Sequence, residues 1–134
     1  MREIIFRAKR VDNSEWVEGY LVVADNLIAT ENKLYIIESG AKYYFFGEFD
    51  PVTEVISETV GQFTGLLDKH GNKIFEGDIL QNTPRYVYSG QYRNIVVFED
   101  GEFLANGYST FFTADDFKYC EVIGNIHDNK LEDF

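Results

Sequence analysis

Turn-forming residues recur so closely along this chain that nothing longer than a short strand or a single helical turn fits between them. Asp25-Asn26, Ser39-Gly40, Asp50-Pro51, Ser89-Gly90, Asp100-Gly101 and Asn106-Gly107 punctuate the 134 residues, each pair suited to a bend by its own backbone preference. The runs between them alternate. Ile4, Phe6 and Ala8 fall on one side of an extended chain and Ile5, Arg7 and Lys9 on the other, the period-two pattern of a strand. Residues 16–23 are aromatic and β-branched, so the turn at 11–15 makes a first hairpin. Short runs at 27–30, 34–37 and 43–46 continue a meander, and 52–60 alternates again, with 52–56 also compatible with a helical turn.

The second half is more legible. Residues 62–67 and 74–80 flank the polar loop Asp68-Lys69-His70-Gly71-Asn72-Lys73, whose glycine can take the positive φ a hairpin needs. Asp100-Gly101 and Asn106-Gly107 are strong signals for the mirror-image two-residue turn. Between turns, Tyr92, Asn94, Val96 and Phe98 share one strand face, and Arg93, Ile95 and Val97 the other. Thr113-Ala114-Asp115-Asp116 reads as a helix start with a threonine cap and acids in the first turn. Residues 121–126 return to strand character. The spacing predicts a mainly β protein: one domain over 1–134, with subdomains at 1–57 and 58–134 and a tight boundary near 57–61.

Composition narrows the partners. The net charge is −11, and the deficit is even: six basic against eleven acidic residues in 1–67, six against twelve in 68–134. Duplex nucleic acid is held by a concentrated cationic face that releases counterions, so the overall field disfavours nucleic acid. A single cysteine, Cys120, excludes an internal disulfide framework. The first residues lack the apolar core of a signal peptide, and no run approaches the length of a membrane span. The expected location is the cytoplasm, with no membrane partner.

No catalytic constellation emerges. His70, His127 and either Asp68 or Asp128 are residue types that hold a catalytic zinc, but nothing fixes their spacing, and a metal-assisted hydrolase ranks third among the readings. Cys120 beside a strand is a small core residue rather than a nucleophile. Asp12, Ser14 and Glu15 match only half of a calcium loop. Gly61, Gly65, Gly71 and Gly77 lack the lysine and helix of a phosphate loop. Arg85, Tyr86, Tyr88, Tyr92 and Arg93 form an arginine and tyrosine island that suits single-stranded nucleic acid through stacking and phosphate contacts. Alternating Arg and Tyr is also ordinary strand-surface chemistry, which is the favoured reading.

Four stretches resemble the YopX family, a group of small phage and prophage proteins. They are Arg2-Glu3-Ile4-Ile5-Phe6-Arg7-Ala8, Glu15-Trp16-Val17-Glu18-Gly19-Tyr20-Leu21, residues 58–79 from Glu58-Thr59-Val60-Gly61 through Glu76-Gly77-Asp78-Ile79, and Glu121-Val122-Ile123-Gly124-Asn125-Ile126-His127. Two departures stand out: Lys9 where many members carry tryptophan, and Asp128-Asn129-Lys130-Leu131 where many carry an Asn-Pro-Glu-Leu type sequence. The resemblance implies short antiparallel strands, a small barrel-like, SH3-like C-terminal part packed on an N-terminal β-subdomain, and one or two helical turns at most. It carries over no catalytic residue, metal or cofactor. Its central motif, with Thr64, Gly65, Asp68, Gly71, Glu76, Gly77 and Asp78, has a structural explanation: a tight hairpin with Gly77 as a bulge and Asp78 accepting backbone hydrogen bonds.

The expected function is that of a non-catalytic phage or prophage accessory protein. Its partner is an unidentified phage or host macromolecule or a second copy of itself; a single-stranded nucleic-acid-binding protein is the alternative.

Overall fold

The computed structural model describes residues 3–24, 33–38, 52–82, 93–107 and 111–130. Within them the chain is mainly β. The strands are β1 (Phe6–Lys9), β2 (Trp16–Ala24), β3 (Lys33–Glu38), β4 (Val52–Val55), β5 (Gly61–Leu67), β6 (Lys73–Phe75), β7 (Asp78–Asn82), β8 (Arg93–Glu99), β9 (Glu102–Asn106), β10 (Phe111–Thr113) and β11 (Cys120–Asn125). Two 3-10 turns, Ser57–Thr59 and Ala114–Tyr119, are the helical elements among the described residues. The runs expected at 27–30 and 43–46 lie outside those residues. The chain divides into two compact units, Met1–Gln62 and Phe63–Phe134.

In the first unit the strands are antiparallel in the order β4-β3-β2-β1, and the opening residues of β5 add to β1 through Phe6↔Gln62 and Arg7↔Gly61. Alternation sets the faces. Ala8, Ile36 and Val55 are buried on one face, with Phe6, Val17, Leu21, Leu34 and Val60 packed against them. A bridge between Arg10 and Val55 brings the end of β1 back to β4. Residues 52–55, left open between strand and turn by their pattern, are strand because β3 pairs along all four of them. The following 3-10 turn is tied to β1 by Thr59, whose Oγ1 accepts the Lys9 N–H at 2.9 Å and donates to the Ile56 carbonyl at 2.6 Å. Lys9 stands over the ring of Trp16, Nζ 5.4 Å from its centroid.

In the second unit, β5 from Phe63 onward pairs with β6, and five strands form an antiparallel sheet in the order β10-β9-β8-β7-β11. Its outer strands, β10 and β11, are not paired with each other among the described residues, so the C-terminal part is barrel-like only in the loose sense of a small antiparallel sheet. Ile74, Leu80, Val96, Ala105, Phe117 and Cys120 make its core. Phe117 is fully buried, so the second 3-10 turn is anchored from below. Burying such a side chain contributes about 1.5–3 kcal/mol. At its start the Thr113 N–H donates to Asp116 Oδ2 at 3.1 Å, the acid expected from the sequence.

The two asparagine or aspartate–glycine signals behave differently. Asp100 and Gly101 take φ of 51° and 82°, joining β8 to β9 through Glu99↔Glu102 as the mirror-image turn requires. Asn106-Gly107 is not a two-residue turn, since β9 and β10 pair through Asn106↔Phe111 and the connection is longer. Gly107 is required for another reason: a Cβ there would collide with Asn94 Oδ1 and the Arg93 carbonyl.

Candidate functional site

The central motif is built around two carboxylates that fold the chain. Asp68 closes the β5 to β6 loop. Its N–H donates to the Asn72 carbonyl at 2.8 Å, and its own carbonyl accepts from Gly71 at 3.0 Å. Asp68 Oδ1 accepts the N–H groups of His70 and Asn72 at 2.9 and 2.8 Å. Oδ2 accepts the Asn72 side-chain amide at 3.3 Å and the Val122 N–H at 3.0 Å. The last bond reaches β11, 54 residues away in sequence. Beside it the Lys69 N–H donates to the Cys120 carbonyl at 2.9 Å. Burial alone would raise the Asp68 carboxyl; the N–H groups of Val122, Asn72 and His70, with the Asn72 amide, outweigh it and hold the group below the usual carboxylate range. This acid is a fixed acceptor, since both oxygens are engaged.

Asp78 has the same kind of role at the next bend. Its Oδ2 accepts the Phe75 N–H at 2.8 Å, and the carboxylate is buried. Gly77, at φ 86°, sits in the turn between β6 and β7, rather than in the bulge expected from the motif. The irregular register falls in β5, between Phe63 and Leu67, where Gly65 has φ 84°. Thr64 Oγ1 supports that irregularity by donating to the Ile74 carbonyl at 2.8 Å and accepting the Leu66 N–H at 3.1 Å. Glu76 is half-buried and forms that turn with Gly77.

The remaining candidates are dispersed. His70 lies near Glu121, Nε2 to Oε1 3.8 Å, with Lys69 Nζ 3.7 Å from the same carboxylate. His127 lies beside Gly77, in a turn organised by Asn125, whose Oδ1 accepts the N–H groups of His127 and Asp128 at 3.0 and 3.1 Å. Asp128 Oδ2 accepts the Asn125 side-chain amide at 3.0 Å. Among the described residues no group of three His, Cys, Asp or Glu side chains converges in metal-binding geometry. Cys120 is fully buried, and its Sγ donates to the Asp116 carbonyl at 3.4 Å. Burial first, then Asp116 and Asp68, push its thiol up to about 11.

Asp12 is held by Arg10 in a two-bond fork at 2.8 Å each, and this hydrogen bonding lowers the Asp12 carboxyl. A surface cavity of about 280 Å³ is lined by Arg10, Val11, Asp12, Thr53 and Glu54. The guanidinium in that cavity is already committed to its neighbour.

Of the arginine and tyrosine island, Arg85, Tyr86, Tyr88 and Tyr92 lie outside the described residues. Arg93 begins β8, half-buried and opposite Gln81. Sequence reasoning missed the Asp68 to Val122 link, which no local signal announces, and expected an aromatic-rich strand surface without naming its residues. Tyr20, Val22, Val23 and Val52 in the first unit and Phe98 and Tyr119 in the second are exposed. The signal for the first group was present in the uncharged run at 20–24, which reads equally well as half-buried strand. No helix among the described residues is long and apolar enough to cross a membrane.

Among solved structures, the crystal structure of protein EF1440 from Enterococcus faecalis is similar to this one, with a TM-score of 0.56 and 24% identity over 96% of each chain. At that identity the likeness shows a shared fold. No curated protein matches the chain. The family model described as YopX protein matches residues 5–132, nearly the whole length, with residues 5–8 of the first stretch that carried the resemblance and the whole of the other three, and the chain therefore belongs to the YopX family.

Proposed function

We propose that this chain is a non-catalytic binding module, a phage or prophage accessory protein that engages a macromolecular partner through an apolar strand surface. One observation carries the reading. In the first unit, Tyr20, Ile37 and Val52 lie side by side across β2, β3 and β4, with Val22, Tyr35 and Glu54 in the next row, where the Lys33–Glu54 ion pair at 3.5 Å bounds the apolar patch. They occupy the face opposite the buried Ile36 and Val55 cluster. An antiparallel sheet with one packed face ordinarily presents polar residues on the other. Here Tyr20 is 56% exposed and Val52 42%, and contiguous exposed apolar surface rich in aromatics is what protein contacts use. The absence of a catalytic role is supported by the acids themselves, since Asp68 and Asp78 hold backbone N–H groups and Cys120 is kept as a thiol.

The test is capture from phage-infected host extract by wild-type protein and by Val52→Lys, with and without nuclease. A protein retained by wild type after nuclease and released by Val52→Lys, at unchanged circular dichroism, is expected. Retention of nuclease-sensitive material alone, weakening steeply with salt, would overturn the reading in favour of nucleic acid. Equal retention by Val52→Lys would remove this face as the contact.

A further inference from the structure

We infer that the β5 to β6 loop, residues 68–73, is a strap over β11 that opens by itself while the rest of the second unit stays folded, and that acid favours its opening. The inference goes beyond the binding reading, whose contact face belongs to the first unit.

The strap is joined to β11 by polar links. Two are backbone bonds: the Cys120 carbonyl accepts the Lys69 N–H at 2.9 Å, and the Val122 N–H donates to Asp68 Oδ2 at 3.0 Å. Lys69 Nζ and His70 Nε2 add contacts to Glu121 at 3.7 and 3.8 Å. Residues 68–73 contain no apolar side chain, and 69–73 are exposed. The apolar anchors stand on either side of the strap, at Leu66 and Ile74, which pack into the core with Leu80, Val96, Ala105, Phe117 and Cys120. Segments with few buried apolar contacts open at a lower free energy than the fold as a whole.

The strap also keeps its shape without β11. Asp68 N–H to the Asn72 carbonyl, Gly71 N–H to the Asp68 carbonyl, and Asp68 Oδ1 to the N–H groups of His70 and Asn72 are all bonds within it. Below the strap, β5 and β6 pair at Leu67↔Lys73 and at Phe63↔Phe75, with irregular register between. Gly65, at φ 84°, lies in that gap. A hairpin tip rigid in itself can swing there while Thr64 stays bonded to the Ile74 carbonyl.

Acid acts on the link through Asp68, whose Oδ1 serves the loop while Oδ2 reaches β11. Among the described residues the charged and titratable groups on the packed elements are Lys69, His70 and Lys73 of the hairpin, Glu121 and Cys120 of β11, and Asp116 of the preceding 3-10 turn. A proton on Asp68 weakens the acceptor of the Val122 N–H, and one on Glu121 removes the charge beside Lys69 and His70. Burial raises the Asp68 carboxyl, but its N–H partners outweigh burial and hold it below its ordinary value. Closure is therefore complete above that value, about 3.9, and weakens as pH falls through the lower folded one.

Amide hydrogen exchange of the full chain, followed by NMR, tests this. In low urea, Val122 and Lys69 are expected to exchange at unchanged rates because strap opening exposes little surface, whereas Val96 and Ala105 accelerate through global unfolding. Between about pH 5 and about pH 3, after correction for intrinsic exchange, protection at Val122 and Lys69 is expected to fall at least about threefold while Val96 and Ala105 keep theirs. Asp68→Asn is expected to exchange at Val122 at least about tenfold faster at the higher pH and to lose the acid dependence; the wild-type series decides the matter even where this variant does not fold. Val122 and Lys69 exchanging only together with Val96 and Ala105, in urea and in acid alike, would overturn the strap. Local exchange with protection unchanged across that pH range would overturn its control by acid.

Discussion

Two strand edges in this molecule are treated in opposite ways. In the second unit, the outer side of β11 is covered by the loop after β5: Lys69 donates to the Cys120 carbonyl and Asp68 accepts from Val122. A carboxylate there does the work of a missing neighbouring strand. In the first unit, the C-terminal half of β2 runs past the end of β1 and receives no such cover among the described residues. Buried backbone groups need partners, and the covered edge borders the core through Cys120, which is fully buried. The C-terminal half of β2 instead carries exposed side chains at Tyr20, Val22 and Val23. The difference separates a strand fastened by a distant carboxylate from one whose apolar side chains remain exposed.

The largest expected effect comes from uncapping the closed edge. Asp68→Ala leaves the N–H groups of Val122, His70 and Asn72 without their acceptor, a loss of about 1–3 kcal/mol carried chiefly by the half-buried Val122, since His70 and Asn72 lie in the exposed loop, and read as a lowered midpoint in urea unfolding. Acid reports the same group. Because the folded carboxyl lies below its unfolded value of about 3.9, its stabilisation is full above that value and is lost as pH falls through the lower folded value. Asp68→Asn is expected to flatten this acid limb. An unchanged midpoint and acid limb in these variants would break the comparison.

A smaller effect concerns Cys120 behind the cap. With its thiol near 11, alkylation at pH 8 is expected to be slow in the native protein, since the thiolate is the nucleophile. It is expected to become fast in denaturant or in Asp68→Ala, and mass spectrometry of the labelled chain checks both. The smallest effect belongs to β2: Val23→Lys, at an exposed side chain, is expected to change stability by no more than about 0.5 kcal/mol. A large loss there would mean that β2 is held by packing that its exposure does not show.

Much of this was legible in the sequence where the determinant was local. Asp100-Gly101 specified its turn because two successive positive φ angles are tolerated by few residues, and Thr113 with Asp116 marked the start of a turn that Phe117 fastens. Asn106-Gly107 carried the same local signal with a different cause, the close approach of β8 at Asn94, which depends on a strand a dozen residues earlier. The motif from Thr64 to Asp78 was read as a hairpin device, yet its register irregularity lies at Gly65 and its principal bond leaves the hairpin for Val122. The aromatic and β-branched content of 16–23 showed a strand. It did not show that the face carrying Tyr20 and Val22 is exposed, because period two gives two faces without saying which is covered.

The amino-acid order alone determined that this chain is a succession of short strands joined by tight bends, and that it belongs to its family, because backbone sterics and side-chain alternation act over a few neighbouring residues. Only the tertiary structure decided that the outer side of β11 is sealed by Asp68 and that β2 runs on past the end of β1. That depends on how far each strand runs past its neighbour and on whether a distant carboxylate arrives at the gap, quantities set by the geometry of paired strands rather than by the residues at the edge.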